Sequence, residues 1–168
     1  GSSTLFSYLS NVDHVRARGV ELALGSNDLF VRNLEVTGNV TYVDARTLAL
    51  SGRASATAPA GSAVGKFLPN IPKWRAGFTG TYRPTQRTAL SLGGRYSDKL
   101  YTTLDNTDVH FNTYQAFTGW FVMDARASYK FTKSWGASFG VDNLLNRKYF
   151  LFHPFPQRTL VGSAKFTL

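Results

Sequence analysis

Long stretches of the chain alternate apolar and polar residues with a period of two. From Trp74 to Tyr82, the residues Trp74, Ala76, Phe78, Gly80 and Tyr82 fall on one side, and Arg75, Gly77, Thr79 and Thr81 on the other. Successive side chains leave opposite faces of a pleated strand, so the pattern predicts a strand with one apolar face. The same alternation occupies Arg18 to Leu24, Val31 to Asp44, Arg87 to Tyr96, Gly119 to Phe131, Trp135 to about residue 146, and residues 158–168. Thr4 to Ser10 is a shorter candidate. About eight strands result, with no helical period between them.

The connections alternate in length. Short ones are predicted near residues 25–30, 83–87 and 132–134, and long ones at 45–72, 98–118 and 147–157. The polar link at 11–16 is shorter but falls in the phase of the long ones. Short turns at one end and long loops at the other is the plan of an outer-membrane β-barrel. Aromatic residues gather near strand ends: Tyr42, Trp74, Tyr96, Trp120 and Tyr149 toward the long loops, and Tyr82, Tyr129 and Trp135 toward the turns. Amphipathic rings at both interfaces form the girdles of such barrels. The opposite face carries Glu21, Glu35, Arg75, Arg95, Asp124, Arg126, Lys130 and Lys165, as a lumen face should. A soluble β-sandwich also alternates, but the girdles and the long one-sided alternation argue against it. The expected fold is therefore all-β: an antiparallel transmembrane β-barrel segment, with residues 1–168 as a single barrel region.

Composition changes this picture little. The 168 residues fit one domain, and no apolar run is long enough for a transmembrane helix. Thirteen Phe, eight Tyr and three Trp make disorder untenable, and the absence of cysteine removes disulfides and thiolate metal sites. The formal charge of +9 raises nucleic acid, anionic lipid or an anionic ligand as partners. Nucleic acid is disfavoured because the basic residues are divided among lumen face, turns and loops and form no single stripe. The chain opens on Gly1-Ser2-Ser3 and not on Met, which reads as a fragment.

Five short motifs resemble those of TonB-dependent outer-membrane receptors, in the family's order. They are Asn11 to Leu22 (NVDHVRARGVEL), Val40 to Ala45 (VTYVDA), Leu68 to Trp74 (LPNIPKW), Val141 to Tyr149 (VDNLLNRKY) and Pro156 to Thr159 (PQRT). The resemblance singles out Asn11, Gly19, Glu21, Asn143, Tyr149 and Arg158 as structural residues of those motifs. It implies a Gram-negative outer-membrane location and TonB-dependent uptake of a scarce nutrient, most often a ferric siderophore. It also implies a C-terminal share of a 22-stranded barrel, whose plug and TonB box lie outside this chain, with short turns periplasmic and long loops extracellular. The family's last strand commonly ends in Phe or Trp, whereas this chain ends in Leu168, with Phe166 two places earlier. A self-contained eight-stranded barrel with a structural or adhesion role is the alternative. In either case the outer strands need partners, and closure of the segment on itself would pair residues 158–168 with Thr4 to Ser10.

The candidate chemistry lies in the long loops. Arg46, Arg53, Lys66, Lys73, Arg147 and Lys148 would make a cationic mouth, suited to anionic ferric chelates or to lipopolysaccharide phosphates. Tyr114, Phe117, Phe150, Phe152 and Phe155 could stack on an aromatic ligand or on each other. His14, His110 and His153 also fall in these connections, with Asp105 and Asp108 near His110, but no spacing suggests a metal site. The ligand-facing candidates are Arg53, Lys66, His110, Tyr114, Phe117, His153 and Phe155. On the lumen face Glu21 could pair with Arg75, Arg95 or Arg126, and closure of the segment on itself would require Glu21, Glu35 or Asp124 within salt-bridge distance of those arginines. No nucleophile elbow, phosphate loop or metal-binding helix motif is present, so the reading is a non-enzyme without cofactor or resident metal.

Overall fold

The computed structural model describes residues 11–28, 30–54, 58–108 and 110–167. Its strands are β1 (His14–Asn27), β2 (Leu34–Ala49), β3 (Trp74–Tyr82), β4 (Thr88–Ser97), β5 (Trp120–Lys130), β6 (Trp135–Asp142), β7 (Phe150–Leu151), β8 (His153–Pro154) and β9 (Thr159–Phe166). Seven of them form one antiparallel sheet in the order β1-β2-β3-β4-β5-β6-β9, and β7 with β8 makes a separate small hairpin. Among the described residues β1 pairs only with β2, and β9 only with β6, so the sheet is open. The expected strand at Thr4 to Ser10, and the terminal Leu168, lie outside the described residues.

The register joins the apolar positions of each strand into one surface. Val20 faces Tyr42, Tyr42 faces Trp74, Ala76 faces Tyr96, Tyr96 faces Phe121, Ala127 faces Phe139, and Phe139 faces Gly162. Among the described residues no second layer covers this surface: Leu24 is 68% exposed and Leu160 64%. Buried apolar side chains are few, and most (Ala45, Leu50, Ala58, Ala63, Ala116 and Tyr149) collect at the long-loop end. A soluble sheet hides its apolar face against a partner layer; this one presents it outward.

Aromatic rings bound that surface at both ends. Tyr42 and Trp74 pack with ring centroids 4.7 Å apart near the long loops, and Trp135 and Phe166 at 4.8 Å near the turns. From Trp74 to Tyr82 the distance along β3 is about 26 Å at ~3.3 Å per residue. Tilted, that length suits an apolar band about 25 Å tall.

Several boundaries differ from the sequence reading. β1 begins at His14, inside the expected turn at 11–16, and β2 runs to Ala49, past the expected end at Asp44. Hydrophobic alternation stops there, but ion pairing carries the ladder on: Arg18 stands opposite Asp44, and Arg16 opposite Arg46. Trp120 and Tyr149 do not join the outer girdle. Trp120 faces Ser97 on the polar side and packs its ring 5.1 Å from that of the buried Tyr149. Phe121, opposite Tyr96, takes the outward place. The loop expected at 147–157 holds the β7–β8 hairpin.

Gly19 marks the tightest approach in the sheet. A Cβ at this position would run into the carbonyl oxygen of Tyr42, which is backbone and cannot swing aside. Gly162 on β9 has open space instead. Gly19→Ala should lower unfolding free energy by about 1–3 kcal/mol, whereas Gly162→Ala leaves it near the parent value. Urea unfolding midpoints of the full-length protein in detergent give the comparison, and equal midpoints would count against this packing.

Candidate functional site

The polar face and the three long connections (residues 50–73, 98–119 and 143–158) together make the only large polar surface organised by the sheet among the described residues. On the face itself, Arg95 Nη2 donates to Asp124 Oδ2 at 2.9 Å, and Arg83 Nη1 to Glu35 Oε2 at 3.0 Å. Glu21 lies in the row of Thr41 and Arg75, two strands from the arginine, or roughly 9–10 Å. It makes no ion pair among the described residues; of the acids weighed for these arginines, Asp124 is the one that reaches Arg95. Arg95 is engaged by Asp124, and Arg126 lies over Gly140, where a Cβ would stand 3.1 Å from its Nε.

Asn143 roots the last loop. It sits at φ 52°, a left-handed conformation that asparagine tolerates better than most residues. That turn ends β6 and aims the side chain inward. Asn143 Nδ2 donates to the carbonyls of Arg147 (2.8 Å) and Pro156 (3.2 Å), and Oδ1 accepts the Arg147 N–H at 2.8 Å. Its own N–H donates to Asp124 Oδ1 at 2.9 Å, tying loop to face. Asn146 repeats the conformation at φ 52°, and its Oδ1 accepts the Arg158 N–H at 3.0 Å. Arg158 Nη2 donates to the Leu144 carbonyl at 2.9 Å. Tyr149 stacks on Phe155 with centroids 5.0 Å apart, and burial pushes its phenol pKa up.

The loops also bind one another. Phe67 N–H donates to Asn106 Oδ1 at 2.8 Å, Asn106 Nδ2 returns a bond to the Phe67 carbonyl at 2.9 Å, and Asn70 N–H reaches the Tyr101 carbonyl at 2.8 Å. The Phe67 and Tyr101 rings stack at 6.4 Å. Arg46 covers Phe67 at 4.2 Å, and Lys99 lies 5.2 Å from the Tyr101 ring and 4.5 Å from that of Phe111. Each such cation–π contact contributes about 0.5–1 kcal/mol when exposed. Farther along, Gln115 N–H donates to the Phe152 carbonyl (2.6 Å), Phe152 N–H to Ala116 (3.0 Å) and Thr118 N–H to Phe150 (3.2 Å). These bonds lay residues 115–118 beside β7.

Of the ligand-facing candidates, three come together. Tyr114 and His153 meet edge-on at 5.1 Å, and Phe117 and Tyr114 both contact the Phe152 ring, at 6.3 and 5.9 Å. Phe155 is drawn to Tyr149 instead. Arg53 bridges to Ala60, Lys66 is exposed in the same loop, and His110 is exposed in the second. Asp105 and Asp108 do not converge on His110: Thr107 Oγ1 bonds Asp105 at 2.8 Å, and Thr103 Oγ1 bonds Asp108 at 2.8 Å. Of the family-motif residues, Asn11 precedes β1, Gly19 and Glu21 lie on β1, and Asn143, Tyr149 and Arg158 share the last loop. Sequence reasoning missed the Phe67–Tyr101–Lys99–Phe111 series. Its only signal was the closeness of cations and aromatics along two loops.

The model of the family "TonB dependent receptor-like, beta-barrel" matches residues 1–144. The chain belongs to this family. A relative, the probable TonB-dependent siderophore receptor PiuA of Acinetobacter baumannii, is 26% identical over 144 residues, covering 84% of this chain. The chain spans only 18% of that relative's length. Among solved structures, the ferric citrate transporter FecA in its unliganded form is similar with a TM-score of 0.75 at 18% identity, over 90% of this chain and 24% of that one. The siderophore receptor PiuA from Acinetobacter baumannii gives 0.66 at 21% identity, over 89% of this chain and 21% of that one. The seven-stranded sheet is thus a TonB-dependent-receptor barrel segment in sequence family and in fold.

Two outcomes follow from the loop geometry. Asn143→Ala removes three side-chain hydrogen bonds and places alanine at positive φ. It should cost about 2–4 kcal/mol locally, seen as faster amide exchange across residues 144–158 while β3 and β4 keep their protection. The second concerns acid. Burial would raise the Asp108 pKa, but bonds from Thr102 N–H and the Thr103 hydroxyl outweigh it and hold the carboxyl below its ordinary 3.8. Stabilisation from a lowered carboxyl pKa is complete above the unfolded value and fades as pH falls through the folded one. Thr102 amide protection should therefore hold at about pH 5 and fall below about pH 4, and Asp108→Asn should abolish the acid step.

Proposed function

We propose that this sheet is part of the wall of an outer-membrane receptor, and that the receptor takes up a ferric siderophore with energy delivered through TonB. The observation that carries the reading is the single apolar face, continuous through seven strands, uncovered, and edged by aromatic rings at both ends. Such a face suits lipid, and only a closed barrel satisfies strand backbones there. The open edges at β1 and β9 fit a sheet that is one part of a larger barrel wall. Family membership supports TonB as the energy source, and the likeness to PiuA supports a siderophore as cargo.

In this reading the polar face looks into the lumen, the short turns are periplasmic, and the three linked loops are extracellular. The charge of the chain supports an anionic cargo, because exposed Arg53, Lys66, Arg147 and Lys148 surround the loop layer and raise the local concentration of anions. Tyr114, Phe117 and His153 offer aromatic edges to the same approach. This is binding and passage, with no covalent step assigned to any residue of the chain.

Iron-starved cells carrying the full-length protein should accumulate radio-iron from a siderophore only while TonB is energised. Tyr114→Ala should raise the half-saturating siderophore concentration roughly 3–10-fold, the worth of one aromatic contact, with membrane insertion unchanged. Accumulation that persists without TonB, or none under iron starvation with any siderophore tried, would sink the proposal.

A further inference from the structure

The outward face changes character just beyond Tyr42 and Trp74. Arg16 and Arg18 continue the column of Val20 and Leu22, and Asp44 and Arg46 that of Tyr42, so all four side chains leave the sheet on its apolar side. Asp44, only 6% exposed, accepts from Arg46 Nε at 2.7 Å and lies 3.5 Å from Arg18 Nε and 4.0 Å from Arg16 Nη2. Arg46 is further fixed by the Gly65 carbonyl at 2.9 Å and by the Phe67 ring. Lys73 adds a cation 5.7 Å from the Tyr42 ring. One carboxylate thus gathers three guanidinium groups and balances one of them. The arginines stay reachable, with side chains 45%, 68% and 35% exposed for Arg16, Arg18 and Arg46.

From this we infer a binding site for the phosphate groups of an outer-leaflet glycolipid at Arg16, Arg18, Arg46 and Lys73, with Asp44 as a positioning residue. Two features select that occupant over a soluble anion. The cations stand on the lipid side of the wall, not the lumen side, and they adjoin the Tyr42–Trp74 girdle, where headgroups meet hydrocarbon. Guanidinium groups suit phosphate oxygens because they donate in pairs from a planar fork. Acyl chains of the same lipid would lie along Val20, Leu22 and Val40 below. The inference rests on the lipid-facing reading proposed above.

The test is native mass spectrometry of the full-length protein in detergent, titrated with purified lipid A and with dephosphorylated lipid A. The parent protein should bind lipid A, with the dephosphorylated form at least tenfold weaker. Arg16→Ala with Arg18→Ala leaves the Asp44–Arg46 pair intact and should weaken lipid A on the order of tenfold or more. Arg16→Lys with Arg18→Lys should restore much of that loss if the protein is folded. Lys130→Ala with Lys165→Ala, on the other face, should change nothing. Equal binding of both lipids, or a loss as large from the Lys130 and Lys165 change, overturns the site. Siderophore uptake by the Arg16/Arg18 variant separates the two proposals: lipid lost with uptake retained leaves transport standing, and lipid retained with no uptake in the parent leaves only the lipid site.

Discussion

The pairings Tyr42 with Trp74, Tyr96 with Phe121 and Phe139 with Gly162 belong to one register carried through seven strands. Every other feature of the molecule depends on it. A slip of one residue in any strand would carry its whole apolar column to the other face, setting leucines beside Arg95 and Asp124. Among the described residues the sheet has no second layer to penalise such a slip by lost packing. In the barrel-wall reading the penalty would come instead from the two surroundings, since a charged residue turned toward hydrocarbon costs several kcal/mol at mid-depth. That explains why the alternation is so strict along β3 and β4, and why it is relaxed beyond Tyr42. In that reading the chain past the girdle would have left the apolar layer, and arginine on that face would carry no such cost.

The same logic places rigidity in the loops. Strand pairs in the sheet hold each other by backbone ladders, but among the described residues the long connections have only the short β7–β8 ladder and isolated bridges. They are fixed by bonds from short polar side chains. Asn106 joins the first two loops, Asn143 closes the third on itself and on Asp124, and residues 115–118 borrow an edge from β7. Asn106 and Asn143 both occupy positive φ. Asparagine there supplies the conformation of a turn and the hydrogen bonds that keep it. The stacked Phe67 and Tyr101 rings lie next to the partly buried Asn106 bonds in the first two loops.

How much of this could be read from the chain follows from range. The strand faces were legible because a period of two is local, and β3 starts and stops at the residues the alternation gives. The ends of β1 and β2 were not, because Arg16 reads as part of a polar link and Arg46 as part of a loop until they are seen opposite each other, beside the Arg18–Asp44 pair. The outward place of Trp120 was misjudged for a similar reason. Its aromatic character matched the girdle, but its position, even-numbered with Val122 and Asp124, belonged to the polar face, where Tyr149 arrives from a distant loop. Whether Tyr114 met His153 or Phe155 met Tyr149 was beyond any local pattern. Those contacts depend on how two loops cross, and that is set by the Gln115–Phe152 and Phe155–Tyr149 backbone bonds.

The positive charge has a structural origin as well as a use. Several loop and turn acids are held by their own surroundings: Asp28 caps the Asn33 N–H, Asp13 the Ser51 N–H, Asp98 the Lys99 N–H, and Asp108 accepts from the Thr102 N–H and the Thr103 hydroxyl. Three more, Glu35, Asp44 and Asp124, pair with arginines on the sheet. Acids tied this way fix local geometry but still carry charge, so they lower the field only near themselves. Arg53, Lys66, Arg147 and Lys148 project from the loop layer without such partners among the described residues. Their field therefore extends outward over about a Debye length, ~8 Å at physiological salt, from the surface that a ligand would meet first. Moving an acid from a turn to the rim would weaken that field without changing the net charge. The arrangement of the acids, more than the total of +9, sets what the loop layer attracts.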